Sequence, residues 1–194
     1  MPNGKKTLPT SATPKSNVQV QLKTVPFSVL WAAYPRTAPL CKDPATGKAA
    51  FSDECAIRLG TCLAAVGITN NSFKGARCWF KGHPRAHMLR AEEVANWLHR
   101  RPFAGCPNAS DITGEDWRYQ VKDKTGILFF KDYWQREGEK SRTGDHIDLW
   151  NGNSLTASSF QGRVNNFLRF SVGLRELWYS DLGNAKKILF WDIS

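Results

Sequence analysis

The sequence lacks a long apolar segment. No stretch of its 194 residues approaches the roughly 18 consecutive apolar residues that a membrane-spanning helix needs, so we expect no membrane insertion. The first residues, MPNGKKTLPTSATPKSNVQ, also lack the apolar core of a secretory signal peptide. If the protein leaves the cell that makes it, we expect a dedicated machine to carry it.

Acidic residues are scarce. The chain has 17 Asp and Glu against 27 Lys and Arg, which gives a formal net charge of +10. This excess favours an anionic partner such as nucleic acid, an anionic surface or the acidic polymer of a bacterial cell wall. The basic residues are scattered, and no groove-reading helix or aromatic RNA-binding signature accompanies them. We therefore expect no nucleic-acid partner.

The spacing of a strong zinc motif is absent, because the chain has no Cys-x-x-Cys pair. The stretch CWFKGHPRAH places Cys78, His83 and His87 at loosely ligand-like intervals, and Cys106 could be a fourth ligand. Pro84 interrupts this stretch, so we expect no metal and no other cofactor. A basic nucleic-acid-binding or zinc-stabilised module that is not an enzyme is one interpretation of the chain, and it is the alternative to the one developed below.

The order of the predicted elements indicates an α+β domain. Residues 1–24 are rich in Pro, Ser, Thr and Lys and predict a flexible basic tail, and residues 25–194 predict one folded domain. Helices are predicted in PFSVLWAAYP, ECAIRLGTCLAAVG and LRAEEVANWLHRR. Strands follow in GILFF, DHIDLWNG, SLTASSF, NFLRFSV, ELWYS and KILFWDI. Helices followed by mainly antiparallel strands are typical of this fold class.

Cys55 stands out because it falls in the first turn of a predicted helix. Ser52 and Asp53 precede it as residues that commonly start helices. Apolar residues then recur at helical spacing, at Ala56, Leu59, Leu63 and Val66. The positive end of a helix lowers the pKa of a thiol and favours the nucleophilic thiolate. The position therefore makes Cys55 a candidate nucleophile.

His146 is the best-placed base among the four histidines. Side chains alternate along a strand, so His146, Asp148 and Trp150 share one face while Ile147 and Leu149 take the other. A base, a carboxylate and an aromatic side chain on one face predict the border of a cleft. A cysteine at a helix start and a later histidine on a strand are typical of papain-like catalysis.

Several stretches together resemble the fourth family of type VI secretion amidase effectors. These are PFSVLWAAYP, ECAIRLG, HMLRAEEVANWL, GDHIDLWNG and ILFWDI, and they extend from about residue 26 to the end. The order of Cys-x-Ile-Arg followed by His-x-x-Leu-Trp-Asn-Gly is specific. The resemblance implies a papain-like cysteine hydrolase fold, with N-terminal helices packed on a mainly antiparallel sheet. It makes Cys55 the nucleophile and His146 the base.

The same resemblance implies a biological setting. Family members are antibacterial toxins that cut the bond between D-glutamate and meso-diaminopimelate in peptidoglycan stem peptides. The implied partners are peptidoglycan, a cognate immunity protein and the type VI secretion apparatus. The protein is then expected in the cytoplasm of the producer and in the periplasm of the target cell.

The residue that orients His146 is left open by the sequence. Some family members carry an aspartate after the Asn-Gly turn, whereas the segment NSLTASSFQG has no acid here. Asp148 is favoured because a carboxylate is the stronger partner for an imidazolium. Asn153 and Asn151, beside or in the turn, are the alternatives.

Two further residues are candidates for substrate binding. Arg58 lies near Cys55 on the same predicted helix and could hold an anionic group of the substrate. Trp150 could form an aromatic wall of the cleft beside His146.

The number of cysteines is odd, since the chain has five. In an oxidising periplasm we expect one disulfide among Cys41, Cys62, Cys78 and Cys106, with Cys55 free.

Overall fold

A computed structural model gives the fold. It describes residues 24–37, 39–135, 140–156 and 182–194, together with the backbone pairs 8–9 and 17–18. The helices are α1 (Phe27–Ala33), α2 (Cys55–Ala65), α3 (Ala91–His99) and α4 (Trp117–Gln120). The strands are β1 (Leu8–Pro9), β2 (Asn17–Val18), β3 (Ser110–Asp111), β4 (Gly126–Gln135), β5 (Arg142–Trp150) and β6 (Lys187–Asp192). Within this part of the chain, no helix is both long enough and apolar enough to span a bilayer.

Four strands form an antiparallel sheet in the order β3-β6-β4-β5. β4 lies between β5 and β6, and β3 and β5 are the edge strands of the described sheet. In the pairing of β4 with β5, Phe130 lies opposite His146 and Leu128 lies opposite Asp148. The predicted α+β class is therefore confirmed, with an antiparallel sheet and separate helices.

The sheet separates two hydrophobic cores. On one face, Ile147 and Leu149 pack in the larger core, which includes the buried residues of α1, α2 and α3. On the other face, Trp150, Leu128 and Phe130 pack in a smaller core with residues from the α4 region. The alternation predicted for β5 is confirmed, because Ile147 and Leu149 lie in a different core from Trp150.

The start of α2 differs from the prediction. Neither Ser52 nor Asp53 caps the helix; Glu54 occupies the cap position and Cys55 is the first helical residue. The Glu54 carboxylate makes no capping hydrogen bond to the amides of the first helical turn, because it binds other groups described below. The end agrees with the prediction, since Gly67 follows the helix with a φ of +83° that favours glycine.

The predicted helices correspond to α1, α2 and α3, and strands β4, β5 and β6 are also confirmed. SLTASSF is described only in part: Leu155 bridges to Trp150 after the Asn-Gly turn, and residues 157–160 lie outside the described chain. The predicted strands NFLRFSV and ELWYS also lie outside the described residues.

The predicted N-terminal tail contains one short regular element. β1 and β2 pair antiparallel, with Leu8 opposite Val18. The sequence predicted no regular structure there, since these residues have no core-forming pattern. The other residues before position 24 lie outside the described chain.

Candidate active site

Cys55 and His146 meet where the start of α2 packs against β5. The imidazole of His146 interacts with both Cys55 and Asp148. Burial lowers the pKa of His146, but the interactions with Asp148 and Cys55 outweigh burial and raise the pKa to about 9. His146 is only 6% exposed, whereas Cys55 is partly accessible to solvent. The structure thus brings together the thiol and the imidazole that the sequence selected.

The orientation of Asp148 explains how a residue two positions along the strand can reach the imidazole. One carboxylate oxygen, Oδ1, accepts hydrogen bonds from the Leu149 amide at 2.8 Å and from the Thr156 hydroxyl at 2.6 Å. The other, Oδ2, lies 3.7 Å from Nε2 of His146. Asp148 is fully buried, so its charge acts on His146 with little screening by water.

Aromatic side chains hold the His146 ring. Phe130, its register partner on β4, stacks on it with centroids 6.3 Å apart, and Tyr133 contacts it edge-on at 6.2 Å. Gly144, two residues before His146 on β5, pairs with Trp134 of β4. The Trp134 indole occupies the space over Gly144, so a Cβ at this position would overlap the indole. The aromatic wall expected beside His146 therefore comes from β4.

Two residues at this site were missed by the sequence analysis. Thr156 lies on the segment after the Asn-Gly turn and donates a hydrogen bond to Asp148. Tyr34, the residue after α1, is buried, and burial followed by the charge of Asp148 raises its pKa well above the usual range. The returning segment therefore supplies a hydroxyl to the carboxylate instead of a carboxylate of its own.

The two asparagines that were alternatives to Asp148 serve the turn. Oδ1 of Asn151 accepts hydrogen bonds from the amides of Asn153 at 3.1 Å and Ser154 at 2.7 Å. Gly152 has a φ of +92°, which completes the predicted Asn-Gly turn. Asn153 is exposed. The geometry favours Asp148 as the partner of His146, and its catalytic role stays a prediction.

Arg58 is placed inside the protein. Its guanidinium bonds Glu54 at 3.0 Å and donates to the carbonyls of Pro35 and Thr37, each at 2.9 Å. The side chain is 6% exposed. These contacts make Arg58 an anchor for the chain before α2, and a contact with substrate stays a prediction.

Trp150 lies in the smaller core instead of a cleft. It is 1% exposed, its indole N–H donates to the Val121 carbonyl at 2.9 Å, and it contacts the Trp117 ring. The sequence predicted the correct face of the strand but not its burial, because α4 covers that face at this end. Substrate binding by Trp150 stays a prediction.

All five cysteines are free, so the predicted disulfide is absent. Cys62 and Cys106 are buried and donate to the carbonyls of Leu30 and Leu98, at 3.2 Å and 3.5 Å. Burial raises the pKa of each of these thiols to about 12. Cys106 consequently does not join the other candidate zinc ligands named from the sequence.

Comparison with known proteins places the chain in a family. The family model for the type VI secretion system (T6SS) amidase effector protein 4, Tae4, matches residues 51–191. The chain belongs to this family. The match confirms the resemblance inferred from the sequence, and the matched range contains both Cys55 and His146. No curated protein matches the chain significantly.

Two solved Tae4 structures share the fold. The effector Tae4 from Enterobacter cloacae superposes with a TM-score of 0.51 and 18% identity, covering 90% of this chain and 100% of the other. Tae4 from Salmonella typhimurium, solved in complex with the immunity protein Tai4 from Enterobacter cloacae, has a TM-score of 0.51 and 18% identity. That match covers 87% of this chain and 99% of the other.

Proposed function

We propose that this Tae4-family protein is a papain-like cysteine amidase in which Cys55 is the nucleophile, His146 the general acid and base, and Asp148 the orienting residue. One observation carries the proposal: His146 interacts with the thiol of Cys55, and its Nε2 lies 3.7 Å from Oδ2 of the buried Asp148. A nucleophile, a base and a third group that orients the base form the recurring arrangement of covalent hydrolysis.

The chemistry follows from this geometry. The Cys55 thiolate attacks the amide carbonyl carbon, and the carbonyl oxygen becomes an oxyanion. Cys55 is the first residue of α2, so its backbone N–H belongs to the helix start, where amides lack intrahelical partners and can stabilise that oxyanion. His146, protonated below about pH 9, donates a proton to the departing amine as the C–N bond breaks.

The second half of the reaction uses the same imidazole as a base. After the amine leaves, neutral His146 takes a proton from water, and the resulting hydroxide attacks the thioester carbonyl. The C–S bond breaks, releasing a carboxylic acid and restoring the thiolate beside the imidazolium. Asp148 stabilises the cation at both stages through Oδ2 and Nε2.

The substrate in this proposal is the D-glutamyl–meso-diaminopimelate bond of peptidoglycan stem peptides. Membership of the amidase effector family supports an amide substrate, and the net charge of +10 suits an acidic cell-wall polymer. Delivery by the type VI apparatus would bring the enzyme from the producer's cytoplasm to the target's periplasm. An immunity protein is the expected partner, since the similar Salmonella effector was solved in complex with Tai4.

Digestion of purified peptidoglycan tests the proposal directly. Mass spectrometry of the soluble fragments should show new D-glutamate carboxyl ends and new diaminopimelate amines. Cys55→Ala should lower turnover by about 10⁴-fold or more, because the nucleophile is removed. The matched control is Cys62→Ala on the same helix, which should cost about 1–2 kcal/mol of stability and leave turnover near wild type. Undiminished digestion by Cys55→Ala would contradict the proposal.

A further inference from the structure

We propose that Cys41, Cys78, His83 and His87 bind a structural zinc ion. Each residue offers one ligand atom, and the four atoms all lie within 4.8 Å of one another. Two thiolates and two imidazoles are a donor set typical of structural zinc. The inference concerns a site apart from Cys55 and His146, and it does not depend on the proposed amidase function.

Three of the four ligand atoms lie at spacings close to those of a tetrahedral zinc site, and the fourth lies within 4.8 Å of them. The sulfur atoms of Cys41 and Cys78 lie 3.2 Å apart, and each lies 3.2 Å from Nδ1 of His83. With Zn–S bonds near 2.3 Å and Zn–N bonds near 2.0–2.1 Å, the edges of a tetrahedral site measure roughly 3.4–3.8 Å. Zinc coordination would require the three 3.2 Å distances to lengthen by less than 1 Å and the ring of His87 to move closer to the other three ligand atoms.

His87 provides a second observation. Its side chain is 4% exposed, and its buried Nδ1 makes no hydrogen bond within the described part of the chain. An unpaired polar atom in the interior costs free energy unless a partner is supplied. Coordination of a cation at this nitrogen would supply that partner.

The backbone presents three of the ligands from one hairpin-like loop. The amide of Cys78 donates to the carbonyl of His87 at 2.9 Å, and Arg77 bridges to Met88 beside them. Gly82, with a φ of +85°, turns the chain between the two sides. The His-x-x-x-His spacing is one that zinc sites use. Cys41 arrives from a separate loop to complete the set.

The proposed site is linked to the start of α2. The carboxylate of Glu54 accepts hydrogen bonds from the amides of Leu40 at 2.9 Å and Cys41 at 2.8 Å, and it pairs with Arg58. Glu54 immediately precedes Cys55. A zinc ion would therefore fasten the Cys41 loop to the loop of residues 78–87, while Glu54 fastens it to the helix. Four protein ligands leave no open coordination position, so the role is structural.

Metal analysis of the full chain tests the proposal without any variant. The protein is purified without a histidine tag in the presence of a reductant, and its metal content is measured by mass spectrometry. We expect about one zinc ion per chain, as for other four-ligand structural sites. After chelation, replacement with Co²⁺ should give the intense absorption bands of a tetrahedral thiolate site. Failure to bind zinc, either as purified or after reconstitution under reducing conditions, would overturn the proposal.

Variants locate the ion and distinguish it from a disulfide. Cys78→Ser should lose the stoichiometric zinc, whereas the matched control Cys106→Ser, in which another buried thiol is replaced, should retain it. Retention of zinc and of the Co²⁺ spectrum by Cys78→Ser would also overturn the proposal. So would an intact mass showing a Cys41–Cys78 disulfide in protein that binds no zinc even after reduction. Because the readout is metal content, failure of the amidase proposal would leave this test unaffected.

Discussion

Two groups of cysteine and histidine flank Glu54, and they differ in composition and surroundings. At the proposed catalytic pair, one partly accessible thiol interacts with one imidazole, and a buried carboxylate lies 3.7 Å from Nε2 of that ring. At the proposed zinc site, two thiols and two imidazoles face one another, with no carboxylate among the four ligand atoms. A single thiol beside an oriented base favours attack on a substrate, whereas two thiols and two imidazoles favour a cation. The neighbours, more than the residue types, determine the chemistry.

Substitution of Asp148, beside the proposed catalytic pair, is expected to give the largest effect, a loss of kcat. Asp148→Asn preserves an oxygen for the Leu149 and Thr156 hydrogen bonds but removes the charge facing Nε2 of His146. We expect kcat to fall by up to about 10⁴-fold, the size of effect seen when an amide replaces the orienting carboxylate of a triad. Steady-state kinetics on soluble muropeptides measure this loss.

The matched control for that experiment is Asn153→Ala, in the exposed turn. Its effect on kcat should be mild, because the Asn153 side chain is exposed and the substitution keeps the backbone amide that bonds Asn151 within the turn. If Asn153→Ala lowers kcat severely and Asp148→Asn lowers it only mildly, the residue that orients His146 lies in the turn and is not Asp148.

The pH dependence of activity is the second way to sharpen the comparison. Burial lowers the pKa of His146, but the interactions with Asp148 and Cys55 raise it to about 9, so the imidazolium is present below that pH and is lost as the pH rises through it. Since the imidazolium protonates the leaving amine, kcat/KM should fall on the alkaline side near pH 9. In Asp148→Asn the alkaline limb should shift to lower pH, because a group that raises the pKa has gone. If the alkaline limb of Asp148→Asn stays at the wild-type pH, Asp148 does not set the pKa of His146.

Substitution of Glu54, which connects the Cys41 loop to the start of α2, is expected to lower the stability of the protein. Glu54→Gln removes the charged partner of Arg58 in a pair whose side chains are each 6% exposed. Loss of one partner of a buried pair costs about 3 kcal/mol or more, so the denaturant midpoint should fall clearly. The control is Lys187→Gln, which breaks an exposed pair with Asp111 and should cost about 0–1 kcal/mol. Equal losses in the two variants would show that Glu54 does not anchor the Cys41 loop.

The smallest effect is expected at the N-terminus. Deletion of residues 1–20 should leave activity on soluble muropeptides unchanged, since that segment has no core-forming pattern. A large loss of kcat/KM in the truncated enzyme would assign the segment a role at the site.

The proximity of Cys55 and His146 could be predicted from the sequence because local rules place both residues. A helix start selects Cys55, and strand alternation places His146 with Asp148 on one face, which the structure reproduces. Tyr34 and Thr156 could not be predicted, because their proximity to Asp148 depends on how α1 and the segment after the turn pack against β5.

The second cysteine–histidine group shows the same limit. Cys78, His83 and His87 lie at only loosely ligand-like intervals, from which we expected no metal, and Cys41 lies 37 residues before Cys78 with no motif of its own. The sequence analysis named Cys106 as the possible fourth ligand, whereas packing brings Cys41 to the other three residues. Likewise, nothing in the local pattern indicates that Arg58 turns inward to Glu54 or that α4 covers Trp150.

Site-resolved alkylation of the five cysteines tests the central claim most directly. The native full chain is treated with iodoacetamide, and the rate at each cysteine is read by peptide mass spectrometry, before and after chelation. We predict rapid modification of Cys55, slowed in His146→Ala, and protection of Cys41 and Cys78 until the chelator is added. Burial should keep Cys62 and Cys106 slow under native conditions. If Cys41 and Cys78 react as fast as Cys55 before chelation, or if Cys55 is inert, the two groups do not have the different chemistry assigned to them.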